Sequence, residues 1–198
     1  MQRGSYRISR QVLDRLRGLK LKYGFQSYES VIIYFMNTVE REGMVPPATY
    51  QAIFADSKPV IITGPSGSGK TTAVKELIRK ERNVFIIDVA NEYDLQRLNI
   101  GDFFGFSWSD GGRYRFVPGS NLEVSRAEAG AIFQHLEFIK NSGVLKDWTV
   151  VIEEGHRFRD DANLRALLIE ARKFVRKLII VTTDWQVYRD IAQVYKPA

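Results

Sequence analysis

The chain has no cysteine, which excludes disulfides and thiolate metal sites. Histidine is nearly as scarce: His135 and His156 are the only two, which argues against a histidine-based zinc site. No apolar run reaches the roughly 18 residues that a membrane-spanning helix needs. The basic start, MQRGSYRISRQ, lacks the apolar core of a secretory signal. These absences point to a cytoplasmic protein with no membrane span. What is present is ordinary: 44% apolar and 26% charged residues match a globular protein with a packed core. The net charge of +6 is uneven, because residues 1–45 carry eight Lys/Arg against four Asp/Glu. A basic segment suits nucleic acid, and equally an ordinary solvated surface.

The stretch REGMVPPATY divides the chain, since Gly43 can end a helix and Pro46 and Pro47 cannot continue one. It sets a small module at 1–45, a linker at 46–57 and a main domain at 58–198. In the module, GSYRIS alternates like a short strand, with Arg3, Ser5 and Arg7 on one side. Ser9 can cap a first helix carrying Val12, Leu13, Leu16, Leu19 and Tyr23 on one face. Ser27 can cap a second. A strand and two helices in so few residues cannot bury a core alone, so the module needs a partner. From residue 58 onward, strand and helix patterns alternate, which predicts an α/β domain with a mostly parallel sheet.

The strongest local signal is GPSGSGKT, residues 64–71, which fits G-x-x-x-x-G-K-[ST]. The apolar PVIITG leads in and the amphipathic TTAVKELIRK leads out. Gly64, Pro65, Ser66, Gly67, Ser68 and Gly69 are expected to turn backbone amides toward phosphate oxygens, with Lys70, Thr71 and Thr72 at the helix start. Lys70 is expected to reach the β- and γ-phosphates of ATP, and the Thr71 hydroxyl to ligate Mg²⁺. A second strand over 148–152 ends in Glu153 and Glu154. Glu153 is assigned to Mg²⁺ and Glu154 to the attacking water as general base. A base for water argues against a kinase, which must exclude it. A third strand over 84–87 leads to Asp88 and then Glu92 and Tyr93, which by spacing alone read as a strand end and a capped helix.

Two resemblances follow from these residues. YRISRQVLDRLRGLKLKYGFQSYESVIIYFMN resembles the strand-to-second-helix run of the ribbon–helix–helix family. The resemblance implies dimerisation through 1–45, with Arg3, Ser5 and Arg7 toward DNA bases and amides near Ser27 and Tyr28 on a phosphate. GPSGSGKT, IIDVANEYD, VVIEEGHRF and ARKFVRKLIIVTTDW, in that order, resemble the HerA/FtsK superfamily of P-loop ATPases, and in particular its compact viral and plasmid DNA-packaging members. That resemblance covers about residues 56–198. It implies a RecA-like domain, a hexameric ring and ATP-driven movement or packaging of double-stranded DNA. It also implies catalytic roles for Glu92 and for Arg172, an arginine acting on a neighbouring subunit's γ-phosphate. The superfamily sensor is usually Gln. Here the candidate positions are Thr183, which can bond a γ-phosphate, and Asp184, which would repel it.

Three functions stay open at this point: a DNA-translocating ATPase, a nucleotide-controlled DNA-binding regulator with little motor activity, and a small-molecule kinase. In the middle of the chain, NIGDFFGFSWSDGGRYRFVPGS reads as two strands around Asp110, Gly111 and Gly112, with its aromatics in the core. Ser125 and Glu128 read as a capping box. Arg157, Arg159 and Arg176 are further arginine candidates, and Arg113, Arg115 and Lys146 are candidates for a pore.

Overall fold

The computed structural model describes residues 48–188 and 190–197, with residues 14, 16–18, 20, 21, 27 and 28 ahead of them. The chain divides into two compact units, 1–45 and 46–198. In the first, Asp14, residues 16–18 and Lys20, Leu21 and Tyr28 are helical. Arg17 Nε donates to Tyr28 Oη at 3.3 Å. The strand expected over GSYRIS, with Arg3, Ser5 and Arg7, lies outside the described residues, as does the dimer contact.

The second unit is built on seven parallel strands. They are β1 (Val60–Thr63), β2 (Asn83–Ile87), β3 (Gln96–Leu98), β4 (Arg113–Phe116), β5 (Trp148–Ile152), β6 (Lys177–Thr182) and β7 (Gln193–Tyr195). Their order is β3-β4-β2-β5-β6-β1-β7, and every pairing is parallel. Helix α1 (Tyr50–Ile53) precedes β1, and four α-helices lie between strands: α2 (Lys70–Ile78), α3 (Ile100–Phe104), α4 (Leu122–Ile139) and α5 (Ala162–Phe174).

Alternate side chains on each strand face opposite layers. Ile61, Phe85, Ile87, Val150, Ile152 and Ile180 pack against α4 and α5 residues such as Ile132, Phe133, Leu164 and Leu168. Val60, Ile62, Val84, Ile86, Val151 and Ile179 pack on the other side with Ile53 of α1 and Val74, Leu77 and Ile78 of α2. Because both faces are covered there, the central strands β1, β2, β5 and β6 read as mainly apolar runs, whereas β3, β4 and β7 are more polar and partly exposed. The 46–57 segment is part of this unit: Ile53 is fully buried, and Ala48 N bonds Lys196 O at 2.6 Å.

The middle of the chain corrects two expectations. There is no hairpin at Asp110–Gly111–Gly112. A 3-10 turn (Trp108–Asp110) leads into β4, which pairs in parallel with β2 and β3. The glycines serve a close approach: Gly111 and Gly112 have φ of 71° and 125°, and a Cβ on Gly111 would sit 2.6 Å from Asn83 Oδ1. Gly112 N donates to that oxygen at 3.1 Å. The aromatics are core, as expected: Phe85, Phe103, Trp108 and Trp148 meet edge to face or tilted. The second correction concerns α4. Its cap is Asn121, whose side chain accepts from Glu123 N. Ser125 is buried inside the helix, and Glu128 accepts from Gly119 N at 2.8 Å.

The amino edge of the sheet is held by Glu81. Its carboxylate is 5% exposed and accepts from Arg176 Nε at 2.5 Å, Tyr50 Oη at 2.8 Å and Thr149 Oγ1 at 3.1 Å. Arg113 Nη1 donates to the carbonyls of Ile78 and Glu81. Lys177, fully buried, donates to the carbonyls of Asp56 and Lys58. Glu81→Ala strips three donors of their acceptor and is expected to lower stability by about 2–3 kcal/mol in urea unfolding. A loss below about 0.5 kcal/mol contradicts this assignment.

Candidate functional site

Parallel register brings the carboxyl ends of β1, β2, β5 and β6 to one edge. β1 leads into α2 on one face and β5 leads to α5 on the other, so the connections part there and leave a crevice. Strands lie about 4.8 Å apart, so with β6 between them the ends of β1 and β5 are separated by about 10 Å.

Residues 64–71 form the first wall. Gly64, Gly67 and Gly69 have φ of 157°, 76° and 87°, conformations that favour glycine. Gly64 has no room either, since a Cβ there would lie 2.5 Å from Ser68 Oγ. Gly69 caps α2 with no side-chain hydrogen bond, so the first-turn amides of α2 have no side-chain cap. Lys70 Nζ folds back and donates to the carbonyls of Gly64 and Pro65 at 3.0 and 2.9 Å. Ser68 Oγ is buried without a partner among the described residues. A cavity of about 450 Å³ adjoins the loop, bounded by Tyr50, Ser68, Gly69, Thr72, Lys80 and Pro197 among others.

The second wall is acidic. β5 ends at Ile152, and Glu153 follows, 4% exposed. Tyr93, itself buried, donates its phenol to Glu153 Oε1. Burial pushes the Glu153 carboxyl up to about 7; the Tyr93 hydrogen bond opposes this, and Glu154, Glu92 and Asp88 add to it. Burial, with Glu153 beside it, pushes the Tyr93 phenol far up as well. Lys75 of α2 lies over the Tyr93 ring, 5.5 Å from its centre, joining the two walls.

Tyr93 is placed by Asp88. This fully buried carboxylate accepts from Glu92 N at 2.9 Å and Tyr93 N at 3.1 Å. It also pairs with Arg115 Nη1 at 2.9 Å. Arg115 reaches Asn91 Oδ1 and Leu95 O too. The capped helix expected after Asp88 is absent: residues 88–95 form an irregular loop tied down by its side chains. Glu92 is exposed beside the buried carboxyl.

Glu154 adopts φ 51°, ψ 40°, the left-handed region. The 3-10 turn Gly155–Phe158 follows directly. Gly155 is pinned: a Cβ would lie 2.3 Å from Ile180 Cγ2, and Tyr188 Oη donates to its carbonyl at 2.8 Å. Glu154 Oε2 lies 3.5 Å from His156 Nε2, and His156 Nδ1 lies 3.5 Å from Thr182 Oγ1.

The structure thus gathers residues 64–72, Glu92, Glu153 and Glu154 at one edge. Thr183 and Asp184 are exposed just past β6, whereas Thr182, its last residue, is buried. Arg172 is elsewhere. It lines a groove of about 380 Å³ at the opposite, amino edge with Lys146, Lys173, Asp56 and Phe54. Arg176, one of the arginine candidates, is committed to Glu81, and the pore candidates Arg113 and Arg115 are committed to carbonyls and Asp88, while Lys146 lies on the groove with Arg172. Arg157 and Arg159 stay at the carboxyl edge, Arg159 beside Asp160. His156, Thr182 and the Arg115 clamp were missed in the sequence. Their only signals were a histidine two places past Glu154 and a threonine closing an apolar run.

Among the described residues, no helix is long and apolar enough to cross a membrane. Nor do three or more His, Cys, Asp or Glu side chains group as a metal cluster among them. Comparison with models of protein families gives no match, and comparison with curated proteins gives none. The fold defines the chain's class: an α/β protein with a seven-stranded, all-parallel sheet and a glycine-rich loop at its carboxyl edge.

The Glu153 carboxyl has a definite effect on stability. Between about pH 4.5 and 7 the folded chain keeps a proton that the unfolded chain has released. Stability is therefore expected to fall as pH rises through that window and to level off above it. The decline is on the order of 3 kcal/mol from this group. Glu153→Gln should flatten it, read as the stability difference between the two proteins at pH 5 and 8. Parallel curves contradict the assignment.

Proposed function

We propose that this chain is a RecA-like P-loop ATPase that hydrolyses ATP with Mg²⁺ and uses the energy to move or package double-stranded DNA as an oligomeric ring. The observation that carries the hydrolytic part is one crevice, with a glycine-rich loop on one strand end and a carboxylate pair two strands away. Three features favour a triphosphate: the left-handed glycines, an α2 amino end without a side-chain cap, and the unpartnered Ser68 hydroxyl. The adjoining cavity is in the range of small-ligand sites and offers room for the nucleoside.

The chain's residues then have distinct tasks. Amides of 64–71 bind phosphate oxygens, and Lys70 gives up its bonds to Gly64 and Pro65 to do the same. Thr71 and Glu153 would hold Mg²⁺, which usually keeps waters and takes only one or two protein ligands. MgATP supplies an electrophilic γ-phosphorus. Glu154 accepts the proton of the attacking water. The separate placement of Glu153 and Glu154 follows from their backbones, one continuing β5 and the other turned left-handed. Glu92, exposed beside Glu153, and Thr183, just beyond β6, are second-line candidates. Arg172 lies at the edge opposite its own crevice, so the role the reading gives it is on a neighbouring subunit's γ-phosphate.

The DNA and ring parts rest on the HerA/FtsK and ribbon–helix–helix resemblances and on the positive excess in 1–45. Phe138 and Ile169, 84% and 58% exposed on α4 and α5, are apolar surface consistent with contact between copies.

Two variants separate binding from chemistry. Lys70→Ala is expected to abolish detectable binding of a fluorescent ATP analogue. Glu154→Gln should bind it as the wild type does, while turnover drops about 10²- to 10⁴-fold. Unchanged turnover in Glu154→Gln sinks the base assignment. Turnover should rise with duplex DNA of any sequence, in a species of hexameric mass. Operator-specific binding with no stimulation favours the regulator instead.

A further inference from the structure

We propose that His156 is a positioning residue that holds Glu154 through one tautomer, set by the Thr182 hydroxyl. It thereby couples the phosphate-loop strand to the carboxylate. The proposal rests on reading Glu154 as the base for water.

The argument is one of donors and acceptors. A carboxylate only accepts hydrogen bonds, and a neutral imidazole has a single N–H. His156 faces Glu154 Oε2 with Nε2 and Thr182 Oγ1 with Nδ1, each at 3.5 Å. Pairing with Glu154 therefore needs the proton on Nε2. Nδ1 is then a lone pair and must accept from Thr182. That hydroxyl can do so: its oxygen accepts from Asp184 N at 3.1 Å, which leaves its proton free to turn. Its alternative acceptor is Asp184 O, at 3.3 Å. When the hydroxyl turns there, Nδ1 must carry the proton, and a bare Nε2 lone pair faces the carboxylate, which repels it. One hydroxyl rotor thus decides whether Glu154 is held or released.

The two ends of this chain are fixed elsewhere. Thr182 is 1% exposed and stands in register with Thr63, the residue before Gly64. A shift of the phosphate loop reaches Thr182 through that pairing. Glu154 sits in a left-handed conformation between β5 and a pinned Gly155, so its backbone cannot follow freely. Distances of 3.5 Å suit an arrangement that tightens around its ligand. The coupling runs through Thr182, one place before the polar positions that the sequence suggested.

The chain's two histidines make the test direct. In ¹⁵N imidazole spectra of the full chain, with His135→Gln used for assignment, His156 is expected as the Nε2–H tautomer. Thr182→Val should shift Nδ1 strongly, and Thr182→Ser should not. In turnover, His156→Ala should lower kcat about 10- to 100-fold and leave KM for ATP within about twofold. His156→Gln, which restores an N–H toward Glu154, should recover most of the loss. Thr182→Val combined with His156→Ala should be no worse than His156→Ala alone. An Nδ1–H tautomer indifferent to Thr182→Val overturns the proposal, as does wild-type kcat in His156→Ala when Glu154→Gln is inactive. Full activity in Glu154→Gln overturns the hydrolase reading itself.

Discussion

Glu153 carries a carboxyl group to a place that water scarcely reaches, and the carboxyl edge of the sheet is arranged around it. Tyr93 donates to it, Asp88 places Tyr93, and Arg115 balances Asp88. Lys75 of α2 covers the Tyr93 ring, so the helix that follows the glycine-rich loop rests on the same assembly. An uncompensated carboxylate in such a site is unfavourable, which is why this one holds its proton to about pH 7. A divalent cation bound there would relieve that penalty by favouring the charged form.

The sheet supplies the other half of the arrangement. Its parallel register collects the ends of four strands, and its strand order inserts β6 between the glycine-rich loop after β1 and the acidic pair after β5. β6 is therefore the element that touches both, and its last residue, Thr182, contacts the histidine beside Glu154. The opposite edge is closed by Glu81, Arg176 and Lys177. That division leaves rigid packing at one end and polar groups with unused capacity at the other.

Local chemistry was legible in the sequence where the sequence itself determines it. The loop at 64–71 and the strand ending at Ile152 stand where their residues suggested, and the alternation of strand and helix patterns pointed to a mostly parallel sheet, which is parallel throughout. What was not legible depends on distant partners. Asp110–Gly111–Gly112 carries the residues of a hairpin turn, but its glycines make room for Asn83, far away in the chain. Ser125 and Glu128 have the spacing of a cap, but the helix had begun at Leu122, and Glu128 turns to Gly119 instead. Arg113 and Arg115 were candidates for a pore, but the pairing of β4 with β2 and β3 turns them onto carbonyls and Asp88. Thr182 and Thr183 differ in the sequence by one position; only the end of β6 separates a buried hydroxyl from an exposed one.

The central proposal is that this edge binds a nucleoside triphosphate with its metal between β1 and β5. A crystal structure with ADP, beryllium fluoride and Mg²⁺ tests it most directly. The account predicts phosphate density within residues 64–71, with Lys70 turned off its own loop, and Mg²⁺ approached by Thr71 and Glu153. Nucleotide bound elsewhere, or Mg²⁺ held without Glu153 or its waters, would contradict it.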